Sequence, residues 1–162
     1  MTRTAAKAGT LRRLGAEPVV CDVYDAEGLR SAIVAFSPDL VLHELTDLPD
    51  DEANAAGSSA NARMRREGTR NLVAGARAAG AQRFLAQSIA WDPPGDGALA
   101  KAELERMTLD AGGVVLRYGR FYGPGTYHEE PPAHPRIQID EAARRTVELL
   151  DVPSGTYAVV EA

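Results

Sequence analysis

The chain has 162 residues, 44% of them hydrophobic and 25% charged, which suits one globular domain with a real core and leaves too little length for a second. A net charge of -5 argues against nucleic acid or an anionic membrane surface, both of which need a positive footprint, so small molecules or protein partners are expected. The single cysteine, Cys21, excludes an internal disulfide, no Cys/His cluster suggests structural zinc, and no apolar run approaches the roughly 20 residues of a membrane span. The opening MTRTAAKAGT lacks the apolar core of a signal peptide, and a cytoplasmic location is expected.

Thr4 is placed to cap a helix through about Leu14 that Gly15 ends. Pro18 to Asp22 (PVVCD) reads as a short apolar strand, and Asp25 caps a helix whose Leu29, Ile33 and Phe36 share a face as far as Ser37-Pro38. Asp39 to Glu44 (DLVLHE) is a second strand. An acidic loop from Thr46 to Ser59, with Pro49-Asp50-Asp51-Glu52, leads to a long helix from about Ser59 to Ala79, buried along Met64, Leu72, Val73, Ala76 and Ala79.

Arg83 to Ser88 (RFLAQS) is the third strand. Two prolines and two glycines between Trp91 and Gly97 rule out regular structure there, and a helix follows from Ala98 to about Ala111. Val114 to Arg117 is too short for a helix and reads as a buried strand. It opens into Tyr118 to Gly125, where glycine freedom meets flat side chains fit to line a pocket, although an ordinary strand and turn would look the same. A short strand from Arg136 to Ile139, a helix capped by Asp140 and ending near Leu150, and a strand from Thr156 to Val160 complete the chain.

Short unbroken apolar strands alternating with helices predict an α/β fold, a mainly parallel sheet with helices on both faces. Ligands of such sheets sit beyond the carboxyl ends of the strands, so Asp22, His43 to Thr46, Gln87-Ser88 and Arg117 to Gly125 should converge on one rim.

Five segments in this order resemble the extended short-chain dehydrogenase/reductases, the NAD-dependent epimerase/dehydratase family, over nearly the whole chain. They are Asp22 after the first strand, DLVLHELT at 39 to 46, EGTRNLVAGARAAGAQRFLAQS at 67 to 88, LRYGRFYGPGT at 116 to 126 and IDEAARRTVELL at 139 to 150. The resemblance implies a single Rossmann-like NAD(P)-binding domain over residues 1 to 162 with a minimal C-terminal substrate portion. It also implies an oxidoreductase acting on a nucleotide-sugar-like or other carbonyl or alcohol compound.

By that resemblance, Asp22 and Val23 border the adenine, His43, Leu45 and Thr46 lie along the ribose, and Gln87 joins the cofactor side. Ser88 would polarise a substrate carbonyl and Lys101 would serve as nicotinamide-ribose or electrostatic partner. Arg117 and Tyr118 would close the nicotinamide side, and Tyr122, Gly123, Pro124 and Gly125 the substrate side. Arg3 would pair with a 2'-phosphate, which tilts the choice between NAD and NADP toward NADP, a solvated terminal charge being the alternative.

Departures from the family pattern are specific. Lys101 aligns with the lysine of its Tyr-x-x-x-Lys pair, but the tyrosine position is Gly97, and the helper asparagine falls on Arg65. No GxGxxG or GxxGxxG stands in the sequence, so the first strand and its phosphate-binding loop are expected to be missing, as in a truncated product. The alternatives to an enzyme are a non-catalytic NAD(P)-binding or sensing module, or a remnant needing a partner chain, and a homodimer fits either. No metal is expected, since His128, Glu129, Glu130 and His134 share a proline-rich loop. The plainer readings are a satisfied core histidine for His43, a structural hydroxyl for Ser88, and for Arg63, Arg66 and Arg70 a solvated or subunit-contact stripe rather than an anion site. Trp91 is a loop anchor or a pocket wall.

Overall fold

A computed structural model describes residues 1–49 and 58–162, so the Asp50-Asp51-Glu52 portion of the acidic loop lies outside the described residues. In chain order, a 3-10 turn at Ala5–Lys7 leads into α1 (Ala8–Arg13), followed by α2 (Ala26–Phe36) and β1 (Leu40–His43). Then come α3 (Ser59–Arg63), a π turn at Met64–Gly68, α4 (Thr69–Ala79), β2 (Arg83–Ile89), α5 (Asp96–Asp110) and β3 (Val114–Tyr118). The chain closes with β4 (Arg120–Tyr122), β5 (Arg136–Gln138), α6 (Ile139–Glu148) and β6 (Gly155–Val159).

The main sheet has the order β1-β2-β3-β6, and every pairing in it is parallel. Parallel neighbours demand crossovers, and the helices that make them cover both faces, which is why these strands are apolar on both sides. The alternation along β2 shows it directly. Phe84 and Ala86 pack with Leu29 and Ile33 of α2, Leu72 and Ala76 of α4 and Leu104 of α5, whereas Leu85 packs with Val114, Leu116, Ile137, Ala142 and Val159 on the α6 side.

Several expectations hold with shifted bounds. Asp25 caps α2 by accepting from the Gly28 amide at 3.0 Å. The cap of α3 is Ser58, whose hydroxyl accepts from Asn61, and α6 is capped by Gln138, whose side chain accepts from the Asp140 and Glu141 amides; Asp140 itself lies inside the first turn. The long helix predicted over Ser59 to Ala79 is divided by the π turn, which widens one coil around Arg65.

The strand predicted at Pro18 to Asp22 is reduced to one bridge, Thr2 with Val20. Among the described residues its backbone partners are those of Thr2, through Thr2 N to Val19 O at 2.9 Å and Cys21 N to Thr2 O at 3.0 Å, and Val20 stays 53% exposed. An apolar run without a ladder partner along its length cannot extend. A second small parallel sheet, β4 with β5, was not expected: it turns part of the predicted Tyr118 to Gly125 loop into a strand.

Candidate functional site

A cavity of about 280 Å³ brings together Arg3, Asp22, Val23, Leu45 and Thr46 with Cys21, all drawn from the amino-terminal segment and the carboxyl end of β1. Five of the predicted cofactor residues therefore share one wall. One Asp22 oxygen is occupied by the Tyr24 amide at 3.0 Å, which leaves its other oxygen to accept from a ligand. Arg3 lies 3.9 Å from Asp47, a loose surface pair.

His43 is not among the lining residues. Its Nδ1 accepts from the Leu45 amide at 3.3 Å, so Nε2 carries the proton and donates to the buried Thr69 hydroxyl at 3.0 Å. Burial lowers its pKa from 6.5 to about 4. A folded value below the unfolded one means that the native state binds fewer protons, so stability is full above about pH 6.5 and is lost as pH falls toward 4. The expected loss is about 3 kcal/mol, and urea midpoints of the parent and His43→Asn between pH 7 and pH 4 should converge as the parent weakens.

Ser88, Lys101 and Arg117 meet in one ionic network at the amino-terminal half of α5. The Ser88 hydroxyl donates to Glu105 Oε1 at 2.6 Å, and Arg117 clamps both Glu105 oxygens at 2.9 and 2.6 Å. The sheet register sets this up, since Ser88 and Arg117 are direct partners on β2 and β3 and face α5 together. Although burial works against ionisation, these hydrogen bonds and the nearby cations hold the Glu105 carboxyl below the usual glutamate range. Lys101 donates to the Trp91 carbonyl at 3.0 Å and to Asp92 at 2.8 Å, and the Trp91 ring lies under the Arg120 guanidinium at 4.7 Å. Trp91 thus anchors the proline-rich loop to α5 and β4.

The two departures from the family pattern meet in space: the Arg65 guanidinium donates to the Gly97 carbonyl at 3.5 Å. Next to it, Arg66 is held by Asp96 at 2.6 and 2.9 Å and by Glu103 at 2.8 Å, clamping the π turn to α5. Arg63 pairs with Glu67 and lies over the Tyr24 ring at 3.9 Å. Of the arginine stripe, Arg66 braces the π turn against α5, whereas Arg63 and Arg70 are exposed.

Tyr118 points to the other side of the sheet. Its hydroxyl is 2.6 Å from Thr146 of α6 and 3.4 Å from Glu44, and burial pushes its pKa up. Glu44 is exposed as a residue, yet loss of hydration around its carboxyl pushes the pKa up to about 7, with the hydrogen bond from Tyr118 working against that shift. Tyr122 donates to Glu161 at 2.5 Å, and the turn behind it is closed by Gly123 N to His128 O at 2.8 Å. Pro124 and Gly125 lie in that turn. Gln87 is half-buried between β1 and β3.

Sequence reasoning did not single out Glu105 as a site residue. Its place one helical turn after Lys101 was the available signal, but its partner Arg117 is visible only through the sheet. A second cavity, of about 270 Å³, lies between α4 and α5 among Arg70, Val73, Arg77, Met107 and Asp110, at the opposite end of α5 from Lys101. Among the described residues no helix is long and apolar enough to cross a membrane.

No protein-family model matches the chain. A 3-diazoavenalumate denitrifying reductase from a Streptomyces species is 43% identical over 135 residues, which is 67% of this chain and 44% of that protein. The crystal structure of Thermus thermophilus UDP-glucose 4-epimerase with NAD superposes at a TM-score of 0.73 and 18% identity, over 90% of this chain and 64% of that one. The Bacillus anthracis dTDP-4-dehydrorhamnose reductase with NADP gives 0.70 and 13% identity, over 88% and 63%. The chain thus spans less than half the length of the curated relative and under two thirds of these structures. The fold is Rossmann-like α/β, and the resemblance read from the five segments agrees with the epimerase and reductase neighbours.

Proposed function

We propose that this chain binds NAD(P)H, with NADPH preferred, and serves as a reductase for an acceptor that needs no proton from a tyrosine. The observation that carries the reading is the cavity in which Arg3, Asp22, Val23, Leu45 and Thr46 come together. Its volume of about 280 Å³ suits the adenosine end of a dinucleotide, with Asp22 toward the adenine amino group, Thr46 toward the ribose and Arg3 toward a 2'-phosphate. When bound, the nicotinamide supplies hydride.

The chemistry of the acceptor follows from the protons that the chain holds. A carbonyl that accepts hydride at carbon needs a proton at oxygen, but Gly97 offers none and the Ser88 proton is directed to Glu105. A diazo substrate, as the name of the Streptomyces relative describes, has no such requirement. Hydride adds to the terminal nitrogen of the diazonium form, the carbon–nitrogen bond then breaks, dinitrogen leaves and the hydrogen ends on carbon. Lys101 and Arg117 would orient the acceptor at the rim. A nucleotide-sugar carbonyl or alcohol is the second reading, supported by the fold neighbours alone, and in it Ser88 would have to leave Glu105 to reach the carbonyl.

Fluorescence titration with NADPH and NADH tests the binding. Arg3→Ala should weaken NADPH about tenfold, the worth of one charge-assisted contact, and leave NADH unchanged. Equal loss for both would remove the 2'-phosphate role, and no binding of either by the parent chain would end the reading. Consumption of NADPH with an aryl diazonium salt above the uncatalysed rate, against none with a carbonyl panel, separates the two acceptor classes.

A further inference from the structure

Arg65 has five N–H donors, and among the described residues its one hydrogen bond is the long contact to the Gly97 carbonyl. It is half-buried, and burial lowers its pKa while Glu105 pulls it back up, so the charge is retained in a partly dry place. Every other cation nearby is engaged more fully. Arg66 makes three short bonds, Arg117 spends two nitrogens on Glu105, and Lys101 spends two donors on Trp91 and Asp92. With Arg66 between Asp96 and Glu103, Lys101 on Asp92 and Arg117 on Glu105, Arg65 is, among the described residues of this cluster, the cation without a carboxylate in direct contact.

A half-buried guanidinium with unspent donors calls for an acceptor, and a permanent cation met only by a carbonyl is best satisfied by an anionic one. The π turn at Met64–Gly68 aims this residue at α5, and the Arg66 clamp holds that aim. We propose that Arg65 binds an anionic oxygen of the substrate, a carboxylate or a phosphate, beside Gly97. A guanidinium there holds negative charge without giving up a proton, which matches an acceptor that takes hydride alone. The proposal deepens the reductase reading by naming the group that is recognised, and it stands on side chains that the dinucleotide cavity does not use.

The chain's single tryptophan reports on this place, because the Trp91 carbonyl receives Lys101. Its emission is followed while benzoate, phenyl phosphate or uncharged benzamide is added at constant ionic strength. We expect saturable changes with benzoate or phenyl phosphate and none with benzamide, the tighter of the two anions identifying the group. Arg65→Ala should weaken that anion about tenfold and Arg65→Lys by less, with near-ultraviolet circular dichroism confirming that both variants are folded. Anion binding unchanged in Arg65→Ala, or no response in the parent beyond that to sodium chloride, overturns the proposal. NADPH titration is independent of these arms, so failure of the cofactor reading and failure of this one are told apart.

Discussion

Gly119→Ala should be among the most damaging single substitutions in the chain, lowering unfolding stability by about 3 kcal/mol or more. A β-carbon at Gly119 would sit 2.5 to 2.6 Å from three backbone atoms of Arg136, and backbone cannot swing aside as a flexible side chain can. The glycine occupies a crossing point. Its amide donates to Val159 at 3.1 Å, the next amide, Arg120, donates to Pro135 at 2.8 Å, and Glu161 donates to the Arg136 carbonyl at 2.9 Å. Pushing the strands apart there breaks the β4–β5 ladder and moves Tyr122 and the turn at Gly123–Gly125 that follows it. Gly9→Ala is the control, since its β-carbon would meet nothing nearer than the tip of Arg13 at 3.8 Å and a helix interior prefers alanine. Urea midpoints should fall for Gly119→Ala and stay or rise for Gly9→Ala. A Gly119→Ala midpoint equal to the parent's would show that the crossing is looser than drawn.

The same glycine shows what was legible in the sequence. Tyr118 to Gly125 stood out as glycine and aromatic residues after an apolar run, which marks a loop that matters, but not that Arg120–Tyr122 would find a strand partner at Arg136–Gln138. Local pattern carries the strand and not its distant neighbour. The failure at Pro18 to Asp22 is the mirror image, since the apolar pattern is present and the ladder partner is not. The parallel α/β order came through because short unbroken apolar strands alternate with amphipathic helices, a pattern that only a sheet covered on both faces explains.

Residues expected together on the cofactor side do come close in space where the chain brings them there directly. Asp22, Val23, Leu45 and Thr46 do share a cavity with Arg3. What stayed hidden were pairings across elements: Ser88 with Glu105, Arg65 with Gly97, Tyr118 with Thr146. Strand register decides which side chains face one helix, so Arg117 and Tyr118, adjacent in sequence, serve opposite faces of the sheet. Grouping them on one wall was the natural reading of a sequence and the wrong one for a pleated strand.

Glu105→Ala should cost about 2 to 3 kcal/mol and change the chemistry of Ser88. The carboxylate side chain is 11% exposed and is the common acceptor for Ser88 and both arms of Arg117. Removing it leaves the two partners unequal. Arg117, whose side chain is 42% exposed, can turn to water, whereas Ser88 is 2% exposed and keeps an unsatisfied hydroxyl. Loss of acceptor strength for Ser88 therefore dominates over loss of the ion pair, and the cost falls below that of a fully buried pair. Because the folded carboxyl titrates below its unfolded value, its contribution is present above about pH 4.5 and fades as pH drops, so the parent and Glu105→Ala should approach one another in acid. Ser88→Ala alone should cost less, about 1 kcal/mol, since Glu105 keeps Arg117. In the double variant the hydroxyl is no longer stranded, so its loss should be smaller than the sum of the two by about 1 kcal/mol. Strict additivity would mean that the serine proton is not committed to Glu105, and Ser88 would then be free to serve a substrate carbonyl after all.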